Sequence, residues 1–287
     1  ELEESSPIYT NQAFPRSAWR RKPGVQALSN GTRELMILIA RDDAGRDWQQ
    51  DDKRNPETWE LAANFYLYAV DKRNFQFKGQ SYLVDKRSTV KPERSLKLAR
   101  LQYNGGWNPE PAGWSRLANI MHNNDKLELQ IETVKLGEGS LDGFKLAHLT
   151  GTQEFRFEPA ERDALKAFIT GGGTLLIDAA GGSTAFASAI EAELRQIYPN
   201  LNSEIIPASD PLFASLDVGW RLFARQKIGG LSAPRLRALS IDGRRAIYYS
   251  TEDLSTGLMG APIDGIVGYD PLTATEIPRR LILQSAK

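Results

Sequence analysis

No cysteine occurs among the 287 residues, which excludes disulfides, thiolate metal sites and a cysteine nucleophile. Histidine is nearly as scarce, so His122 and His148 must fill every imidazole role between them. No His-x-x-x-His spacing exists, and the sequence assigns neither a metal site nor a cofactor. An excess of charge of one sign is also missing: 36 Lys and Arg balance 36 Asp and Glu. Phosphate contacts supply most nucleic-acid affinity, so a neutral chain without a basic stripe points away from nucleic acid and from anionic membrane surfaces. No apolar run approaches the roughly 20 residues needed to span a bilayer, and no signal-peptide pattern opens the chain. The first residue is Glu1, and the sequence is expected to be a processed product or a fragment.

What is present suffices for a filled core, with 41% hydrophobic and 25% charged residues. From residue 97 onward, apolar runs of strand length alternate with segments of helical period, the pattern of a parallel sheet with helices on both faces. Strands are expected over 96–103, 127–134, 144–150 and 174–178, and helices over 114–122, 159–169 and 184–197. Two further strands, 235–240 and 245–250, flank an Ile241-Asp242-Gly243 turn.

The start of the chain echoes its end. Ser6-Pro7-Ile8-Tyr9 parallels Asp210-Pro211-Leu212-Phe213, and Ala27-Leu28-Ser29-Asn30-Gly31 parallels the stretch from Ala238 to Gly243. Leu35 to Ile39 followed by Asp42-Asp43 parallels Ala246 to Tyr249 followed by Glu252-Asp253, and Asn55-Pro56 parallels Asp270-Pro271. The simplest account is the C-terminal part of one α/β domain over residues 1–70, a basic linker over 71–93, and a complete related domain over 94–287. Half a domain leaves apolar surface uncovered. Ile37, Leu38, Ile39, Leu61, Phe65, Leu67 and Tyr68 are therefore expected to pack on the second domain or on a sequence outside this one, since each wet side chain costs about 1.5–3 kcal/mol. The linker reads as solvated charge, with a basic contact surface as the alternative.

Ala147-His148-Leu149-Thr150-Gly151, Phe155-Arg156-Phe157 and Gly171-Gly172-Gly173-Thr174-Leu175-Leu176-Ile177-Asp178 resemble a bacterial family catalogued as domain of unknown function 4159. Tyr103-Asn104-Gly105-Gly106-Trp107, Asp210-Pro211-Leu212-Phe213 and Tyr249-Ser250-Thr251-Glu252-Asp253 fit it as well. The resemblance covers 94–287 and implies a flavodoxin-like fold similar to class I glutamine amidotransferases, without an established reaction. It also implies fusion to other modules, such as helical toroids. The chain departs from the family pattern where Thr150-Gly151-Thr152-Gln153 replaces Thr-Gly-His-Gly and Asp178-Ala179 replaces two consecutive acids. Both changes remove ionisable groups from the expected cleft.

Amidotransferase chemistry needs a thiolate at a strand-to-helix turn with an imidazole beside it. At that turn stand Gly181, Gly182 and Ser183, where serine reads as a helix cap and the glycines as a tight turn or an anion-holding loop. Gly171-Gly172-Gly173 closes a helix rather than opening one, so it reads as a C-cap. Asp178 ends a buried strand and faces the crevice where open α/β sheets bind ligands. Tyr103, Asn104, Trp107, Thr150, Gly151, Thr152, Gly181, Gly182, Ser183 and Asp253 should surround it as a rim suited to a small hydroxylated ligand or a peptide. His148 reads as a hydrogen-bonded core imidazole. The leading expectation is a non-catalytic module of a larger exported or envelope-associated bacterial protein, binding a partner protein, other domains of the same polypeptide or a small ligand. The alternative is a hydrolase-like enzyme using Asp178 with Thr150 or His148.

Overall fold

A computed structural model describes residues 1–70, 82–199, 203–214, 216, 220–221 and 234–286. The chain opens with the short helix α1 (Pro7–Thr10), the hairpin strands β1 (Val25–Ser29) and β2 (Glu34–Ile39), and helices α2 (Ala44–Gln49) and α3 (Pro56–Ala69). Then follow β3 (Arg94–Gln102), α4 (Ala112–Asp125), β4 (Leu127–Lys135), β5 (Leu146–Gly151), α5 (Pro159–Thr170), β6 (Thr174–Ala179) and α6 (Thr184–Ile197). The remaining elements are β7 (Ser203–Ile205), β8 (Trp220–Arg221), β9 (Arg237–Ile241), β10 (Arg244–Ser250), β11 (Gly268–Tyr269) and α7 (Pro271–Ser285).

A seven-stranded sheet of order β4-β3-β5-β6-β10-β9-β7 forms the centre. Its first five strands are parallel, while β9 and β7 run antiparallel to their neighbours. This is an α/β, flavodoxin-like arrangement, as the alternation of apolar runs predicts. Strand β5 is all buried, its side chains covered from both sides, which is why it reads as a continuous apolar run rather than an alternating one. Helices α5 and α6 bury Leu165, Phe168, Phe186 and Ile190 on one face, and α4 and α7 bury Trp114, Leu117, Ile277 and Leu281 on the other. Strand β3 lies between β4 and β5, so the chain reverses its direction across the sheet there. In open α/β sheets that reversal opens a crevice beyond the carboxyl ends of the two strands.

Local signals account for the element ends. Gly171 caps α5 and Gly172 takes φ +97, so the triple glycine is a helix stop. Ser183 accepts from the Phe186 amide at the start of α6. The β9–β10 turn is Asp242-Gly243, with φ of +51 and +76, and Ile241 belongs to the strand.

Among the described residues β1 and β2 form a two-stranded antiparallel sheet by themselves. Helix α3 covers one face through Ile37, Ile39, Leu61, Phe65 and Tyr68. Of the basic linker, residues 71–81 lie outside the described residues. The part that follows is held along α4: Tyr82, Val84 and Asp85 carbonyls accept from Arg116, Asn119 and Asn123 at 3.0, 2.7 and 2.9 Å. Among the described residues no helix is long and apolar enough to cross a membrane.

Leu98, fully buried on β3, packs among α4 and β5 side chains. Leu98→Ala should cost about 2–5 kcal/mol through the cavity it leaves, read as a lowered urea midpoint at unchanged slope.

Candidate functional site at the crest of the sheet

Side chains two apart on a strand share a face. Parallel pairing sets Asp178 of β6 beside Thr150 of β5 and Ser250 of β10, with His148 one pleat below, beside Arg100 of β3. That face carries α4, and Trp114 of α4 reaches the imidazole: its Nε1–H donates to His148 Nδ1 at 3.1 Å. An indole can only donate, so Nδ1 is the acceptor and Nε2 holds the proton. Nε2–H then donates to Asp178 Oδ1 at 2.8 Å.

Asp178 takes three more donors from the segment after β10. Leu254 and Ser255 amides donate to Oδ2 at 3.0 and 2.8 Å, and Ser255 Oγ–H to Oδ1 at 2.9 Å. Burial pushes this carboxyl up, but His148 and the two amides outweigh it and hold it below its ordinary range. Burial also lowers His148, against the pull of Asp178. The pair is an ionised carboxylate receiving a neutral imidazole N–H.

Asp253, fully buried, accepts from the Gly181 amide at 2.7 Å, the Thr256 amide at 3.1 Å and hydroxyl at 2.7 Å, and the Gly257 amide at 3.1 Å. Burial, followed by the Asp178 charge, pushes it up to about 7. The Gly181 carbonyl accepts from Val267 N–H at 3.2 Å, and a Cβ on Gly182 would collide with the Val267 carbonyl. These glycines let two backbone segments meet. The anion-loop reading of Gly181 therefore fails, because its amide is spent on Asp253.

The rim residues divide. Tyr103 donates to the Thr150 carbonyl at 3.0 Å, Thr150 Oγ donates to the Asp178 carbonyl at 2.8 Å, and Ser183 Oγ donates to the Thr152 carbonyl at 2.8 Å. A Cβ on Gly151 would strike Tyr103 and Phe186. Tyr103, Thr150, Gly151, Thr152, Asp178, Gly181, Gly182, Ser183 and Asp253 thus interlock, while Asn104 is exposed and Trp107 half-buried, its ring 5.8 Å from the Arg100 guanidinium. Arg100 donates to Asn108 at 2.6 Å.

The crevice between β3 and β5 is filled by the β1–β2 turn. Asn30 accepts from the Thr32 and Arg33 amides, which shapes the turn. Its Nδ2 donates to the Pro109 carbonyl at 2.7 Å and to Glu110 at 2.9 Å. Arg33 grips Glu110 with Nε at 2.7 Å and Nη2 at 3.2 Å. Gly31, at φ +89, lies so close to Thr152 that a Cβ would overlap it, and Thr32 rests on Gly181. Sequence reasoning missed Asn30, Arg33, Glu110, Trp114, Arg100 and Ser255. Asp253 followed by Thr256 has the spacing of a cap and could have flagged its loop; the partnership of Arg33 and Glu110 spans 77 residues and leaves no local sign.

Chemically, both His148 nitrogens are committed, so no lone pair faces a nucleophile. Ser255 donates to the Asp178 carboxylate rather than to the imidazole. Among the described residues no group of three or more His, Asp or Glu side chains could hold a metal ion.

A family model described as Domain of unknown function (DUF4159) matches residues 97–267. No curated protein matches the chain.

Asp253 should titrate in the stability curve. Its folded pKa lies above its unfolded value, so its contribution is full below about pH 4 and is lost as pH rises through about 7. The stability of the parent chain minus that of Asp253→Asn should fall between those limits and flatten above them, measured by urea unfolding in steps of pH. Asp178, depressed instead, yields a contribution that disappears only on acidification below its unfolded value. Arg33→Ala strands the buried Glu110 carboxylate and should cost about 1–3 kcal/mol, with faster amide exchange in residues 25–39.

Proposed function

The chain belongs to the family described as Domain of unknown function (DUF4159), and from that membership we propose that it is a non-catalytic α/β binding or scaffolding module of a larger bacterial protein, amidotransferase-like in outline. The carrying observation is the state of His148, whose Nδ1 is filled by Trp114 and whose proton is held by Asp178. A general base needs a free lone pair within reach of the proton it takes. His148, Asp178 and Ser255 are also buried to 2%, 0% and 3% exposure, so substrate has no route to them. The Asn30 to Arg33 turn in the crevice adds a second barrier and supports, as the kind of guest the crest suits, a short polypeptide turn with an arginine for Glu110.

Residues 1–70 are, on this reading, the C-terminal part of a related copy. Local chemistry supports the parallel. Ser6 accepts from Ile8 N–H as Asp210 does from Leu212 N–H, and Asp43 accepts from Arg46 N–H as Asp253 does from Thr256 N–H. Each copy then enters a helix at a proline, Pro56 or Pro271.

The hydrolase-like alternative requires turnover. Incubated with p-nitrophenyl acetate or with glutamine, the purified chain should release nitrophenol or ammonia no faster than buffer. Release that Asp178→Asn and Ser255→Ala both abolish would overturn the reading.

A further inference from the structure

The β1–β2 hairpin is anchored at its tip and bare along one side. Leu28 and Met36 sit opposite each other in it, and Leu38, two residues on, shares their face. They are 57%, 68% and 58% exposed, unlike Ile37 and Ile39, which pack toward α3 on the other face. Three large apolar side chains on one exposed strand pair mark an interaction surface. Strand β2 is also an open edge, since its only partner among the described residues is β1. Beside that edge runs a cleft of about 400 Å³, lined by Leu35, Met36, Phe65, Tyr68 and Ile263, with Glu34 in its wall. Among the described residues Glu34 Oε2 is buried there without a hydrogen-bond partner, and burial raises its carboxyl.

The same chain contains a hairpin whose corresponding surfaces are covered. Strand β10 pairs in parallel with β6 through Ile247, Tyr248, Tyr249 and Ser250. Helix α6, which follows β6, covers one face of β9–β10: Leu239, Ile247 and Tyr249 pack with Phe186, Ile190 and Leu194, and Tyr249 Oη–H donates to the Ala187 carbonyl at 3.3 Å. Helix α7 covers the opposite face through Ile277 and Leu281 against Ala238 and Tyr248. In the first hairpin α3 supplies one such cover. A strand at the edge and a helix on the second face are what it lacks among the described residues.

We propose that β2 and the Leu28, Met36 and Leu38 face dock a strand–helix unit of a partner polypeptide. Its strand is apolar and adds in parallel to β2, and the helix after it lays an amphipathic face on the three exposed side chains. A hydrogen-bond donor on the partner strand meets Glu34. The inference rests on the scaffolding reading and names the partner it receives.

The test uses the intact chain and a fluorescently labelled synthetic peptide covering residues 173–199, the strand–helix unit that performs this role on β10. Fluorescence anisotropy should give saturable binding, weakened roughly tenfold or more when Met36→Lys and Leu38→Lys are combined. Leu83→Lys, an exposed apolar residue outside the patch, should leave the affinity unchanged, and circular dichroism checks that each variant folds. Absence of binding, or binding indifferent to the paired lysines, would overturn the proposal. So would light scattering that finds a dimer of the chain dispersed by those lysines, since a second copy would then cover the face. None of these outcomes alters the turnover assay, so docking and the lack of catalysis fail separately.

Discussion

A charged carboxylate with no exposure to water must find its hydration inside the protein, and Asp178 meets that demand with four donors drawn from two separate stretches of chain. His148 comes from β5, whereas Leu254 and Ser255 come from the segment after β10. The indole of α4 fixes the imidazole that serves the acid. One ion thereby ties two strands, a helix and a loop to a single geometry. Asp253 extends it by binding the Gly181 turn, and the two acids share an interior in which only one is comfortably ionised.

The second constraint joins the front of the chain to this knot. Glu110, almost fully buried, is neutralised by Arg33, and the turn carrying that arginine fits because Gly31 and Gly106 bring no Cβ against Thr152. Residues 1–70 and the central sheet therefore depend on each other: the sheet supplies the socket and the turn supplies the missing cation. The crevice that topology opens between β3 and β5 is occupied from within the molecule.

Periodicity made the sheet legible. The strands 127–134 and 174–178 and the helices 159–169 and 184–197 stand within a residue or two of those expected, because apolar spacing reports which side chains must be hidden. The antiparallel edge formed by β9 and β7 was less visible, since a strand as short as Ser203–Ile205 has no period to read. Asp178 could be singled out by its place at the end of an apolar run. The long-range partners could not. Nothing in the composition of Asn30 or Arg33 announces Pro109 and Glu110, and Trp114 acquires its role only because its helix places it over His148. Expected rim residues such as Tyr103 and Thr150 are present, yet they spend their hydroxyls on backbone carbonyls, which spacing alone cannot reveal.

Strand β2 holds five consecutive apolar residues, Leu35 to Ile39, on an edge without a neighbour among the described residues. Such a segment is a template for amyloid-like stacking whenever copies crowd together. The chain surrounds it with gatekeepers: Arg33 and Glu34 precede the run, Arg41, Asp42 and Asp43 follow it, and the register slips between Leu28 and Ser29 on the adjoining strand. Charge at both ends and a register slip at the turn end make indefinite growth costly while leaving a stretch long enough for one companion.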